Sequence, residues 1–311
     1  MVDQQEQLTP SPPPPTRRHH RPSRTRLMVR RIVALTLLLA FLGLGVWLAT
    51  VAVGSVRDTE EKPAPAPPAA PAPLRIIFPE GFTRRQMAAR IRDVNGIARE
   101  RRGVNPRLSS NAYLRATQSS KIPGTFAGDG ERRPLEGFLF PATYEFEPRT
   151  TSRQLVNRQL ESFERNWSKV NLRYARSRRL TPYDVLIIAS MIEKEVIAPE
   201  ERALVAAVIY NRLRAGMYLG IDATIRYGLD VPPTEPLRKS QLESLNPYNT
   251  RKHQGLPPTP IANPGLASMQ AAAHPANVDY LFFVRKPDKI HHFFTASQEE
   301  FDNYTATHGY G

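Results

Sequence analysis

From Ile32 to Val53 the chain runs 22 residues without a charged side chain. At about 1.5 Å of rise per residue such a run reaches roughly 33 Å, enough to cross the hydrocarbon core of a bilayer. The pattern predicts a transmembrane helix over residues 32–53. A secretory signal competes with it, because arginines precede the run and small residues (Ala49, Ala52, Gly54, Ser55) follow. The apolar core of a signal is shorter, so an uncleaved anchor is expected. Pro63 to Pro73 contains only proline and alanine. That composition favours extended polyproline II and forms no core, and it predicts a spacer of roughly 34 Å.

Beyond the spacer, Arg75 to Phe78 reads as a strand and Pro79-Glu-Gly81 as a turn. Thr83 to Val94 follows, with helical spacing at Met87, Ile91 and Val94, and together these make a small β-α unit. A second helix is expected around Asn111 to Gln118. Farther on, Thr181 suits an N-cap, Pro182 the first helical position, and Asp184 completes the start signal. An apolar helix runs from there through Ile192, reaches Glu193-Lys-Glu195, and stops near Ala198 because Pro199 disfavours helical geometry before it. A further helix fits Pro199 to Ala215, with a stripe at Val205, Val208, Ile209 and Leu213 and Gly216 as its stop.

That placement has a chemical consequence for Glu195. Apolar neighbours and the negative end of the helix dipole both disfavour a carboxylate and push its pKa upward. A carboxyl still protonated near neutrality is what a glycosidic general acid requires. Periodicity alone does not choose between the glutamates, since Glu193 shares its face with Leu186, Ala189 and Ile197. A solvated helix end is the bland alternative for both.

Charge adds orientation. Seven arginines lie between Arg17 and Arg31 and only Asp3 and Glu6 oppose them, whereas Arg57, Asp58, Glu60 and Glu61 follow the apolar run. The positive-inside rule then predicts a cytoplasmic N-terminus and an exported remainder. The formal charge of +14 over 311 residues is therefore partly local, and nucleic acid is not an expected partner of an exported domain. Cysteine is absent, which removes disulfides and thiolate chemistry.

Several segments taken in order carry a resemblance: Leu135-Glu-Gly-Phe-Leu-Phe-Pro141, Ala189-Ser-Met-Ile-Glu-Lys-Glu195, Tyr210-Asn-Arg-Leu213, Pro247-Tyr-Asn-Thr250, Gly255-Leu-Pro-Pro258, Asn263-Pro-Gly265, Ala271-Ala-Ala-His-Pro275 and Tyr280-Leu-Phe-Phe-Val284. From about Arg75 to Tyr304 the chain resembles the endolytic murein transglycosylases, the YceG-like proteins. The resemblance implies that Glu195, the second glutamate of the Glu-Lys-Glu triplet, is the catalytic acid. It would cut between N-acetylmuramic acid and N-acetylglucosamine in peptidoglycan glycan strands and leave 1,6-anhydro ends, which makes the enzyme a lyase that needs neither metal nor cofactor. Membrane-bound cell-wall synthesis and division proteins are the implied partners, at the cell membrane. Val196 stands where a small hydroxyl residue commonly follows the acid, and Ala142 where members often carry Asp.

The implied fold is α+β: a basic tail (1–31), the transmembrane helix (32–53), a linker (54–74), a shortened LysM-like subdomain (75–133), a mixed helix and strand catalytic domain (134–304) and a short tail (305–311). Asn211, Asp222, Tyr248, Asn249 and Thr250 are candidates to line the sugar groove. Asn249 as a turn residue and Tyr248 as a core residue are the alternatives. His274 and His292 are expected to be buried and hydrogen-bonded, and the Glu136 segment to be structural. Two rival readings remain, a non-catalytic envelope scaffold and a hydrolytic muramidase. The latter needs a second carboxylate about 5–10 Å from the first, for which Asp222 is the candidate.

Overall fold

The computed structural model describes residues 24–57, 73–118, 122–126 and 133–309. They divide after Pro71 into two units. The first holds one helix, α1 (Arg24–Arg57), whose stretch Met28–Val53 is long and apolar enough to cross a membrane. The expected span lies inside it. The basic residues before Arg24 and the spacer up to residue 72 lie outside the described residues.

The second unit begins with strand β1 (Leu74–Ile77), which turns Leu74 and Ile76 inward and leaves Arg75 and Ile77 outside, the period-two alternation of a half-buried strand. Helix α2 (Arg84–Arg102) opens on a capping box between Thr83 and Gln86 and stops at Gly103, whose φ of 62° only glycine adopts freely. It runs eight residues past Val94, the expected end. Gly96 does not break it, because Asn95 and Ala98 on the buried face continue the packing and Asn95 Nδ2 donates to the Leu108 carbonyl at 2.7 Å. Helix α3 (Ser110–Gln118) lies where it is expected. A 3-10 turn (Gly124–Phe126) and strand β2 (Thr143–Phe146) follow, and β2 pairs antiparallel with β1, Ile76 opposite Tyr144. This sheet joins residues on both sides of position 134, and residues 72–311 form one compact unit.

Helices α4 (Ser152–Trp167) and α5 (Arg173–Ser177) occupy a region where no element is expected from the sequence. The signal for α4 is nevertheless present in the Thr151–Gln154 capping box and in the buried stripe Leu155, Val156, Gln159, Phe163 and Trp167. Helix α6 (Pro182–Glu195) is the axis of the fold. Thr181 and Asp184 cap it reciprocally, and every residue from Val185 to Ile192 is buried. A helix apolar on all sides must be covered on all sides, and α7 (Arg202–Arg214), α8 (Asp222–Leu229) and α10 (Leu266–Ala273) pack on it. A 3-10 turn (Pro199–Glu201) precedes α7, so the helix expected from Pro199 is split in two. The short α9 (Lys239–Leu242) lies between α8 and α10 in sequence. Strands β3 (Phe282–Arg285) and β4 (His292–Thr295) form an antiparallel hairpin, and α11 (Gln298–Thr307) packs on it. The class is α+β, with two separate two-stranded sheets beside a helical core.

Candidate active site

The last turn of α6 sends three successive side chains in three directions. Glu193 Oε2 accepts a hydrogen bond from the Gly265 N–H at 3.0 Å, at the start of α10. Lys194 Nζ donates to the Gly81 carbonyl at 3.3 Å. Glu195 lines a cavity of about 680 Å³ together with Glu136, Asp222, Tyr227, Arg285 and the first turn of α2. Helical residues two apart point roughly 200° from each other. Glu193 therefore serves packing and Glu195 faces the cleft, a choice that periodicity could not make.

The Glu195 carboxyl is held above the ordinary carboxylate range, first by burial and then by the nearby Asp222 charge. The Arg285 guanidinium, the Ala223 N–H and Lys194 oppose this. Helix α8 thus presents its positive N-terminal end to the carboxylate, an electrostatic influence opposite to the α6 dipole invoked from sequence. Arg285 also donates through Nη2 to the Glu195 carbonyl at 2.8 Å.

A second carboxyl, Glu136, sits in the wall of the same cavity and is 2 % exposed. It accepts from the Arg84 N–H at 3.0 and 3.2 Å, from Asn263 Nδ2 at 2.8 Å and from the Tyr227 hydroxyl at 3.1 Å. Burial raises its pKa to about 7 against the pull of Arg84 and these donors. Asn263 ties the neighbouring segments together: its Oδ1 accepts from the Gly137 and Leu139 N–H groups, and its Nδ2 also donates to the Phe82 carbonyl. Glu136 is structural in its bonds, as expected, yet it belongs to the cleft.

The groove candidates separate. Asp222, the first residue of α8, lines the cavity, and Arg251 grips its Oδ1 through Nε and Nη2 at 2.9 and 2.7 Å. Asn211 is buried, donates to the carbonyls of Val278 and Tyr280 at 2.9 Å, and lines a different cavity of about 510 Å³ beside Tyr174 and Arg214. Asn249 is fully buried and holds the carbonyls of Leu242 and Ser244 at 2.9 and 2.7 Å. Thr250 is buried against Thr224 and the Ile221 N–H. Tyr248 bonds Thr259 at 2.8 Å and packs edge-on to Tyr227. None of these four lines the Glu195 cavity. His292 is buried against Glu201, as expected, but His274 is exposed at the C-cap of α10, because the helix ends there and turns the ring outward. Arg285 and Tyr227 line the cavity without being among the residues expected there from the sequence. Neither carries a local signal, since each reaches the site only through tertiary packing.

A family model described as the YceG-like family matches residues 61–307. An endolytic murein transglycosylase of Bacillus subtilis is 33% identical over 217 residues, covering 68% of this chain and 59% of that protein. One from Streptococcus pneumoniae is 30% identical over 262 residues, covering 78% of this chain and 46% of that protein. The chain thus spans about half the length of these relatives. The crystal structure of a YceG-like protein from Listeria monocytogenes superposes with a TM-score of 0.64 at 29% identity, covering 76% of this chain and 77% of that one.

Proposed function

The chain belongs to the YceG-like family, and from that premise we propose that it is a membrane-anchored, endolytic lytic transglycosylase acting on peptidoglycan glycan strands. The observation that carries the reading is Glu195: a half-buried carboxyl of raised proton affinity, at the end of the core helix, in a cleft large enough for sugar rings. Such a group donates its proton to the glycosidic oxygen between N-acetylmuramic acid and N-acetylglucosamine as that bond breaks. The resulting carboxylate then accepts the proton of the muramic C6 hydroxyl while that oxygen bonds to C1. A 1,6-anhydro end forms, no water is consumed, and one residue serves as acid and then as base. Asp222 and Tyr227 flank the place where the sugar would lie.

The anchor is α1, with its N-terminus in the cytoplasm and residues 72–311 outside. The region 75–133 serves as a shortened LysM-like subdomain whose α2 turn forms one wall of the cleft, and wall-synthesis or division proteins at the membrane are its neighbours. A hydrolytic muramidase is the second reading, favoured by Asp222 and Glu136 sharing the cavity with Glu195. Incubating the full chain in detergent with uncrosslinked glycan strands and weighing the products separates the two. Anhydro ends are one water lighter than reducing ends. Reducing ends alone would exclude the lyase, and no cleavage would favour a scaffold.

A further inference from the structure

The β3–β4 hairpin is tied twice to the segment that follows the catalytic candidate. On one strand, Arg285 Nη2 donates to the Glu195 carbonyl at 2.8 Å. On the other, His292 binds Glu201 through its N–H at 2.8 Å and its Nδ1 at 2.6 Å, and both side chains are almost wholly buried. Arg285 and His292 are partners in the hairpin register. Two anchors six residues apart in the chain thus hold two paired hairpin residues, and the guanidinium that results has little freedom to move from Glu195.

Several other charges lining the cavity have hydrogen-bond or ion-pair partners of their own. Arg85 pairs with Asp230 at 2.7 Å, and Arg226 donates to the carbonyls of Pro232 and Glu235. Arg84 serves Glu136 and, through its guanidinium, Thr117 and Gln118. Lys194 reaches Gly81, and Asp222 is gripped by Arg251.

We propose that Arg285 is a positioning residue for the acid–base chemistry: fixed by the His292–Glu201 clamp, its guanidinium holds the Glu195 end of α6 in place and keeps a positive charge beside the acid in the same cavity. A residue that must first give and then recover a proton works best when neither form is strongly preferred. Burial and Asp222 favour the protonated form, whereas Arg285, with Lys194 and the Ala223 N–H, favours the ionised one. Arg285 is the largest of the opposing influences and the one carried on a separate element.

The inference rests on Glu195 being the acid, so it is tested by a readout that needs no turnover. The infrared carboxyl band of Glu195, assigned by its loss in Glu195→Gln, is titrated in the full chain in detergent beside the pH profile of glycan cleavage. Arg285→Gln should move the carboxyl titration, and with it the basic limb of kcat/KM, upward by about one pH unit. Arg285→Lys keeps the charge and should stay near the wild type. Asp222→Asn should move both downward, and it serves as the second test where Arg285→Gln does not fold. An unmoved titration, or equal behaviour of the Lys and Gln variants, overturns the inference. Cleavage retained in Glu195→Gln overturns the proposed function instead.

Discussion

Glu193 and Glu195 stand two residues apart on the last turn of one helix and have opposite fates. Glu193 closes the N-terminus of α10 by accepting the Gly265 N–H, and Glu195 opens into the cleft beside Arg285. Glu80 packs close to Glu193, and its carboxyl is raised by burial and by that neighbouring charge.

Glu195→Gln should remove glycan cleavage by about 10²–10⁴-fold or more while the protein stays folded, because an amide cannot deliver and recover a proton. Glu193→Gln should change activity little, since Gln keeps an acceptor for Gly265 and relieves the repulsion with Glu80. Glu193→Ala, which leaves that N–H without a partner, should cost about 1–2 kcal/mol in denaturant unfolding. Cleavage assays and unfolding curves on the three variants check this, and a dead Glu193→Gln with an active Glu195→Gln would reverse the assignment.

Glu136 makes stability depend on pH in an unusual direction. Its folded pKa of about 7 exceeds the ordinary 4.5, so the native state binds more protons than the unfolded state between those values. Its contribution is complete below about pH 4.5 and is lost as the pH rises to about 7, a difference of about 3 kcal/mol. Unfolding free energies of the wild type measured across this range, relative to those of Glu136→Gln, should therefore fall with rising pH. A flat difference would show that the three donors around the carboxyl offset its burial.

Gly137 should not tolerate a side chain. Its φ is 90°, and an added Cβ would lie 2.7 Å from the Pro260 ring. Gly137→Ala should destabilise the protein by about 2–4 kcal/mol through backbone strain and overpacking. Thermal and denaturant unfolding measure the loss, and a variant as stable as the wild type would mean that the Pro260 loop moves aside freely.

A reporter fused to the C-terminus should be active outside the cytoplasm, and full-length protein should fractionate with membranes, because arginines precede the apolar run and acids follow it. N-terminal sequencing of the membrane-extracted protein checks the same point. A mature chain beginning near Ser55 would mark α1 as a cleaved signal.

What the sequence determined by itself was local. The long apolar helix, the start signal at Thr181, the stop at Gly216 and the apolar α6 are each set by a few neighbouring residues, and each is present in the fold. The order of the motifs also marked the family. Tertiary structure decided the rest, because the deciding partners are remote in sequence. Gly265 lies 72 residues from Glu193, Arg285 lies 90 from Glu195, and Arg84 lies 52 from Glu136. The same distance explains Asn211, Tyr248, Asn249 and Thr250, whose side chains satisfy buried backbone and neighbouring groups rather than lining the Glu195 cavity. A buried polar group must find a partner wherever the fold brings one, and which face of a helix meets water, a helix end or a guanidinium is settled only when the elements pack.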